Sequence, residues 1–219
     1  MRVLVACEFS GTVRDAFVAR GHDAVSCDLL PTDRPGPHIQ GDVLDILGEG
    51  WDLMIAHPPC THLAVSGARY FAEKRADGRQ QAALEFVRRL MDAPIPRWCI
   101  ENPVSIISTE IRKPDQIVQP YQFGHPESKK TCLWLQGLPC LVPTKTVEPV
   151  WMKNDDGTDY RDGRGKRYSP THYLTGRMQP RWANQTASGQ NKLGPSADRW
   201  KLRSKTYQGI ADAMAAQWG

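Results

Sequence analysis

The sequence predicts an α/β fold with a mostly parallel sheet, and three observations predict it. Short apolar runs alternate with helical stretches through the first half of the chain. Five such runs in succession are each followed by a chemically useful residue: Glu8, Asp28, Asp42, Cys60 and Glu101. The composition, 40% hydrophobic and 24% charged, is that of an ordinary globular domain, with no apolar run of about 18 residues to cross a membrane. In parallel α/β sheets ligands sit beyond the carboxyl ends of the strands. One acid after a strand is a common helix cap; five polar residues after five strands ask for a common cause.

The elements follow in order. Val3–Ala6 reads as a buried strand, then Ser10-Gly11 opens an amphipathic helix through Val13, Ala16, Phe17 and Arg20, closed by Gly21. Ala24–Cys27 is a second strand ending at Asp28, followed by a Pro/Gly-rich loop from Pro31 to Pro37. His38–Gly41 is a short third strand ending at Asp42, with Val43 to Leu47 on a short helix. Trp51–Ala56 is a fourth strand stopping at His57-Pro58-Pro59-Cys60. Helical spacing runs over 76–91, and Arg97–Ile100 is a fifth strand ending at Glu101-Asn102-Pro103. Gln116–Gln122 and Thr131–Leu135 read as further strands, antiparallel in sense, and Tyr207–Trp218 returns to helical spacing.

With 219 residues the chain holds one main domain and a small appendage. The expected division is a core over 1–142, a polar insertion over 143–205 and a C-terminal helix over 206–219. Six cysteines without a C-x-x-C pair suggest reduced thiols in a cytoplasmic protein, and the N-terminus reads as a strand, not a signal peptide. Charge is uneven: residues 1–144 carry 15 Lys+Arg against 17 Asp+Glu, whereas 145–219 carry 13 against 7. A basic segment on a near-neutral body points to a polyanion, most simply nucleic acid; a solvated surface is the plainer reading.

The motifs differ in specificity. Glu8-Phe9-Ser10-Gly11 lies at a strand-to-helix turn where a ligand can approach backbone, and Asp28 stands where an acid suits two ribose hydroxyls. A plain turn with a capping Asp fits as well. Asp42 suits either an adenine amino group or the cap of the next short helix. His57-Pro58-Pro59-Cys60 is sharper: two prolines after a buried strand stiffen the loop and fix the direction of a candidate nucleophile, Cys60. A zinc site of His57, Cys60 and His62 lacks a fourth ligand and room to surround an ion, so no metal is expected. Glu101 near such a cysteine can hydrogen-bond and protonate a heterocycle.

This order of residues resembles the DNA cytosine-5 methyltransferase family, and most closely its short, phage-type members. Pro58-Pro59-Cys60 and Glu101-Asn102 in register carry the likeness, with Trp51 to Cys60, Cys99 to Pro103 and Gly124 to Leu135 around them. The resemblance implies a Rossmann-like methyltransferase fold and transfer of a methyl group from S-adenosylmethionine to C5 of a flipped cytosine in DNA, most simply double-stranded, in the cytoplasm of a bacterium or an infected host. It implies Phe9, Ser10, Gly11 and Pro59 around the cofactor, Asp28 at its ribose and Asp42 at its adenine. Cys60 becomes the nucleophile on cytosine C6, Glu101 the partner of its N3 and amine, and Lys130 a stand-in for the family's supporting Arg. Several positions depart from the family: Val13 for a second Gly, His57 for Gly, Thr61 for Gln, Pro103 for Val, and Thr206 to Ala211 for Gly-Asn-Ala. Arg161, Arg164, Lys166, Arg167, Arg177 and Arg181 in the polar insertion are expected to neutralise phosphates, with Tyr168, Tyr173 or Trp182 stacking on bases. Other chemistry on the same fold stays open, as does a catalytically silent binder of DNA or cofactor.

Overall fold

The structure, a computed structural model, describes residues 1–151, 153–161, 163–165, 167, 182–186, 191–196 and 198–219. The chain forms two compact units. The first comprises Met1–Val118, Lys130–Val142 and Thr206–Gly219; the second comprises Gln119–Lys129 and Pro143–Lys205.

The first unit is built on seven strands: β1 (Arg2–Ala6), β2 (Asp23–Asp28), β3 (His38–Gln40), β4 (Leu53–Ala56), β5 (Trp98–Pro103), β6 (Gln116–Val118) and β7 (Thr131–Gln136). Their order is β3-β2-β1-β4-β5-β7-β6. The first five are parallel, and β7 runs antiparallel to both β5 and β6. This is the Rossmann-like, mostly parallel sheet expected from the sequence. The order reverses between β1 and β4, so the crevice where such folds bind ligands lies beyond the carboxyl ends of these two strands.

Strand alternation divides the core. Leu4, Ala6, Met54, Ala56, Trp98, Ile100, Cys132 and Trp134 form one cluster with Leu84, Val87 and Leu90 of α3 (Arg79–Met91). Each of those α3 residues contributes about 1.5–3 kcal/mol by leaving water. Alternate residues such as Val3, Val5, Leu53 and Ile55 are also fully buried. α1 (Thr12–Val18) packs on the C-terminal helix, whose apolar stripe Ile210, Met214 and Trp218 is buried. The Trp218 indole N–H donates to the Pro139 carbonyl at 2.9 Å and fixes the end of the chain.

Local details depart from the expected elements. The fourth strand begins at Leu53, because Trp51 turns its indole inward to donate to the Ile46 carbonyl at 2.8 Å. The helix after Asp42 is a single 3-10 turn, Val43–Asp45. The run Gln116–Gln122 stops being a strand at Val118. Pro120 has no N–H for the ladder, and the Gln122 side chain instead accepts from the Gln119 N–H at 2.7 Å. The stretch before α3 holds a 3-10 segment, Val65–Tyr70, and α2 (Phe71–Ala76), separated from α3 by Gly78 at φ 80°.

The second unit has a centre of its own. Tyr121 and Trp182 stack with centroids 4.2 Å apart, and Asn184 exchanges hydrogen bonds with the Ser128 backbone at 2.8 and 3.2 Å. A short helix, Arg199–Ser204, lies near its end.

Candidate active site

Three of the predicted positions lie at the end of β1. The chain leaves the strand through Cys7, a non-glycine residue at φ 57°, and enters α1 through Gly11 at φ 69°. Between them Glu8 folds inward. One carboxylate oxygen accepts the Val13 N–H at 2.7 Å and the Ser10 hydroxyl at 3.0 Å, and the other accepts the Arg14 N–H at 3.2 Å. Glu8 therefore caps α1 from within, with its charge against the positive helix end. The first-turn donors that the sequence offered to a ligand are thus partly taken by the chain itself. Phe9 and Ser10 are buried beside it, at 6% and 4% exposure.

Gly11 is required for two reasons. Its φ disfavours any side chain, and a Cβ there would meet the Arg14 guanidinium, with Cζ at 2.9 Å. Arg14 is fully buried. It donates to Asp15 at 2.8 Å, and at 3.2 Å to the Ser26 and Thr32 hydroxyls and to the Arg34 and Pro35 carbonyls. One guanidinium thus clamps the Pro/Gly-rich loop onto α1 and β2, using the fork geometry a lysine lacks.

Asp28 ends β2, partly buried. Its carboxylate accepts the Leu30 N–H at 2.9 Å, and burial pushes its pKa up against that hydrogen bond. Leu29 and Leu30 beside it are exposed. Burial, with Asp28 and Asp42 adding to it, pushes the Cys27 thiol up to about 11. Asp42 takes the capping option: its side chain accepts the Leu44 N–H at 2.9 Å at the start of the 3-10 turn.

The second half of the site hangs from β4 and β5. Ala56 pairs with Ile100, so the next step brings His57 beside Glu101. His57 Nδ1 lies 3.0 Å from a Glu101 oxygen, and both side chains are nearly buried, at 8% and 11% exposure. Asn102 donates its amide to the Pro58 carbonyl at 2.9 Å, tying the proline loop to β5. From the other side Lys74, buried, donates to the Thr61 carbonyl at 2.6 Å, and Gln80 donates to the His62 carbonyl at 3.2 Å. Cys60 and Pro59 are exposed at the tip of a loop whose neighbours are held at several points. Among the described residues, His57 Nε2, Asn102 Oδ1 and Ser105 Oγ are buried side-chain atoms with no hydrogen-bond partner.

The sheet thus gathers Glu8 to Gly11, Asp28, Pro59, Cys60 and Glu101 along the carboxyl edge of four adjacent parallel strands, β2, β1, β4 and β5. Lys130 directly precedes β7 and is exposed. Burial and the Glu101 charge push the Cys132 thiol up, and the Lys130 charge acts on the same thiol in the opposite sense.

In the second unit Arg161 and Arg164 are exposed, with Arg161 donating to the Gly165 carbonyl at 2.9 Å. Arg167 is engaged within the unit: it pairs with Glu148 at 2.8 Å and Asp159 at 3.2 Å and covers the Trp151 ring at 4.4 Å. Lys153 and Arg167 hold the Asp159 carboxyl below the usual carboxylate range. Trp182 is buried against Tyr121 and offers no open face to a base. Lys166, Tyr168, Tyr173, Arg177 and Arg181 lie outside the described residues.

Sequence reasoning passed over Arg14, Lys74 and the contact of His57 with Glu101. Arg14 falls on the inward stripe of α1 with Val13 and Phe17, an out-of-place charge that signals a buried clamp. Lys74 carried no such signal, since α2 itself was not expected. His57 was visible as a departure from the family pattern, but its partner is 44 residues away.

No protein-family model matches the chain, and no curated protein matches it in sequence. Among solved structures the chain is similar to a candidate DNA modification methyltransferase encoded within an E. coli prophage. The TM-score is 0.44 and the identity 16%, over 68% of this chain and 52% of that one. The chain therefore spans about half the length of that protein.

Proposed function

We propose that the protein is an S-adenosylmethionine-dependent DNA methyltransferase acting at C5 of cytosine. The observation that carries this reading is that an exposed cysteine on a pinned proline loop after β4 stands at the same sheet edge as a nearly buried glutamate on β5, one residue past the β4–β5 pairing. Beside them, the glycine turn after β1 and the acid after β2 occupy the same sheet edge.

The cofactor side fits a nucleoside bearing a positive charge. Asp28 supplies a carboxylate for ribose hydroxyls, and exposed Leu29 and Leu30 supply apolar surface for a purine. Bound S-adenosylmethionine supplies an electrophilic methyl group on a sulfonium. On the other side, a cytosine leaves its stack to reach Cys60. The Cys60 thiolate adds to C6 while Glu101 holds N3 and the exocyclic amine, so that negative charge builds at C5, the atom that takes the methyl group. Loss of the C5 proton to a base or water then allows the Cys60–C6 bond to break and restores the ring. Exposed Arg161 and Arg164 contact phosphates, which positions DNA without reading its sequence.

Mass spectrometry of nucleosides from DNA incubated with the protein and S-adenosylmethionine tests this reading. A 5-methylcytosine product with the natural protein and none with Cys60→Ala is expected. A methyl group on an exocyclic amine, or equal product from the variant, overturns it.

A further inference from the structure

We infer that His57 is the positioning residue for Glu101: it donates Nδ1–H to one carboxylate oxygen and so fixes the other as the oxygen presented to the base. The inference rests on the methyl-transfer reading for the role of Glu101, but the hydrogen bond itself stands on geometry alone.

The argument is one of satisfying buried groups. Nδ1 and the Glu101 oxygen lie 3.0 Å apart, with His57 at 8% and Glu101 at 11% exposure. His57 Nε2 is buried and has no partner among the described residues. Three proton placements are conceivable. A doubly protonated ring leaves a charged N–H orphaned at Nε2. A ring protonated only at Nε2, accepting from a Glu101 hydroxyl, orphans a neutral N–H there. A ring protonated only at Nδ1 leaves a bare lone pair. Buried orphan donors are rarer than under-satisfied acceptors, and an orphaned charge costs most. The third placement therefore wins, and in it His57 is a donor to Glu101 in both protonation states of the acid.

The backbone makes this donor rigid. The His57 N–H donates to the Ala6 carbonyl at 2.9 Å, which joins β4 to β1, and Pro58 follows at once. Asn102, next to Glu101, donates to the Pro58 carbonyl at 2.9 Å. His57 is thus held to β1 through its backbone, and the proline loop that follows it is tied to β5 beside Glu101. A carboxyl group with one oxygen fixed in this way has lost its freedom to rotate before a base arrives, which is what positioning contributes to a reaction.

Two variants separate this role from simple packing. Asparagine places its amide nitrogen near the position of Nδ1, so His57→Asn keeps the donor, whereas His57→Ala removes it. Loss of an orienting partner is expected to lower kcat about 10–100-fold with KM changed less than about threefold, and His57→Asn is expected to recover most of that loss. In parallel, the imidazole nitrogen shifts of the cofactor-free protein report the tautomer, with His57 identified by the signal missing from His57→Asn. An Nδ1–H tautomer whose signal moves in Glu101→Gln is expected. An Nε2–H tautomer, a His57→Ala rate equal to the natural one, or an asparagine variant no better than alanine overturns the assignment of His57. Absence of any methylated base from the natural protein overturns the methyl-transfer reading instead, and the tautomer still tests the hydrogen bond.

Discussion

Glu8 sits where a ligand-binding acid is expected, yet its contacts are those of a helix cap, and Glu8→Ala measures the difference. The carboxylate receives two backbone N–H groups, from Val13 and Arg14, both on residues with no exposed surface, and the Ser10 hydroxyl. Each buried N–H left without an acceptor costs about 1–3 kcal/mol, and the lost charge at a helix N-terminus adds about 0.3–1 kcal/mol. The serine hydroxyl can turn to Thr12, 3.2 Å away, so its loss is small. The sum is about 2–7 kcal/mol, a large part of the about 5–15 kcal/mol that holds a typical domain. With a urea slope of about 2 kcal/mol/M, the midpoint falls by about 1–3.5 M. Glu8→Gln keeps one acceptor oxygen and is expected to lose about half as much. Urea titration followed by far-UV circular dichroism, with calorimetric titration of S-adenosylmethionine on the folded variant, reads both effects. A loss under about 1 kcal/mol in Glu8→Ala, together with abolished cofactor binding, refutes the capping argument and makes Glu8 a ligand group.

Three further outcomes are expected. Burial raises the Asp28 pKa in the folded state, so the folded protein holds this proton more tightly than the unfolded chain, and the penalty is present above the folded pKa and absent below the unfolded one. Asp28→Asn is therefore expected to raise the melting temperature at pH 7, with the gain shrinking as pH falls into the carboxylate range, while weakening cofactor binding; a lower melting temperature at pH 7 refutes the sign. Gly11→Ala forces a side chain to φ 69° and into the Arg14 guanidinium, and is expected to cost about 2–4 kcal/mol by urea titration. Of the six thiols, only Cys60 and Cys140 are exposed, and burial pushes the Cys7, Cys27, Cys99 and Cys132 thiols up. A thiol reagent at pH 8 is expected to modify two groups quickly in the folded protein and one in Cys60→Ala, with all six reacting after denaturation.

Much of the candidate site was legible before any coordinates, because in a parallel sheet the sequence position fixes the place in space. A residue that follows a parallel strand must lie at the carboxyl edge, and Glu8, Asp28 and Cys60 do so because Val3–Ala6, Ala24–Cys27 and Trp51–Ala56 are unmistakable apolar runs; Glu101, read as following Arg97–Ile100, lies inside β5, which runs on to Pro103 in its ladder with β7. What those residues do at the edge was less legible. Glu8 and Asp42 turned to nearby backbone N–H groups, where a local hydrogen bond forms without waiting for a partner. Arg167 found Glu148 and Trp151 within its own unit.

The sequence by itself determined the strand order of chemistry-bearing residues, the helical and strand periods, the stiff proline loop under Cys60 and the basic bias of the C-terminal third. These are local properties, set by composition, spacing and the restricted backbone of proline and glycine. Only the tertiary structure decided that His57 meets Glu101, that Arg14 clamps the loop after Asp28, and that Lys74 and Gln80 hold the cysteine loop. Each of these depends on which strands become neighbours and in what register. A single step of register carries a side chain to the other face of the sheet, and that choice is made by the packing of the whole core.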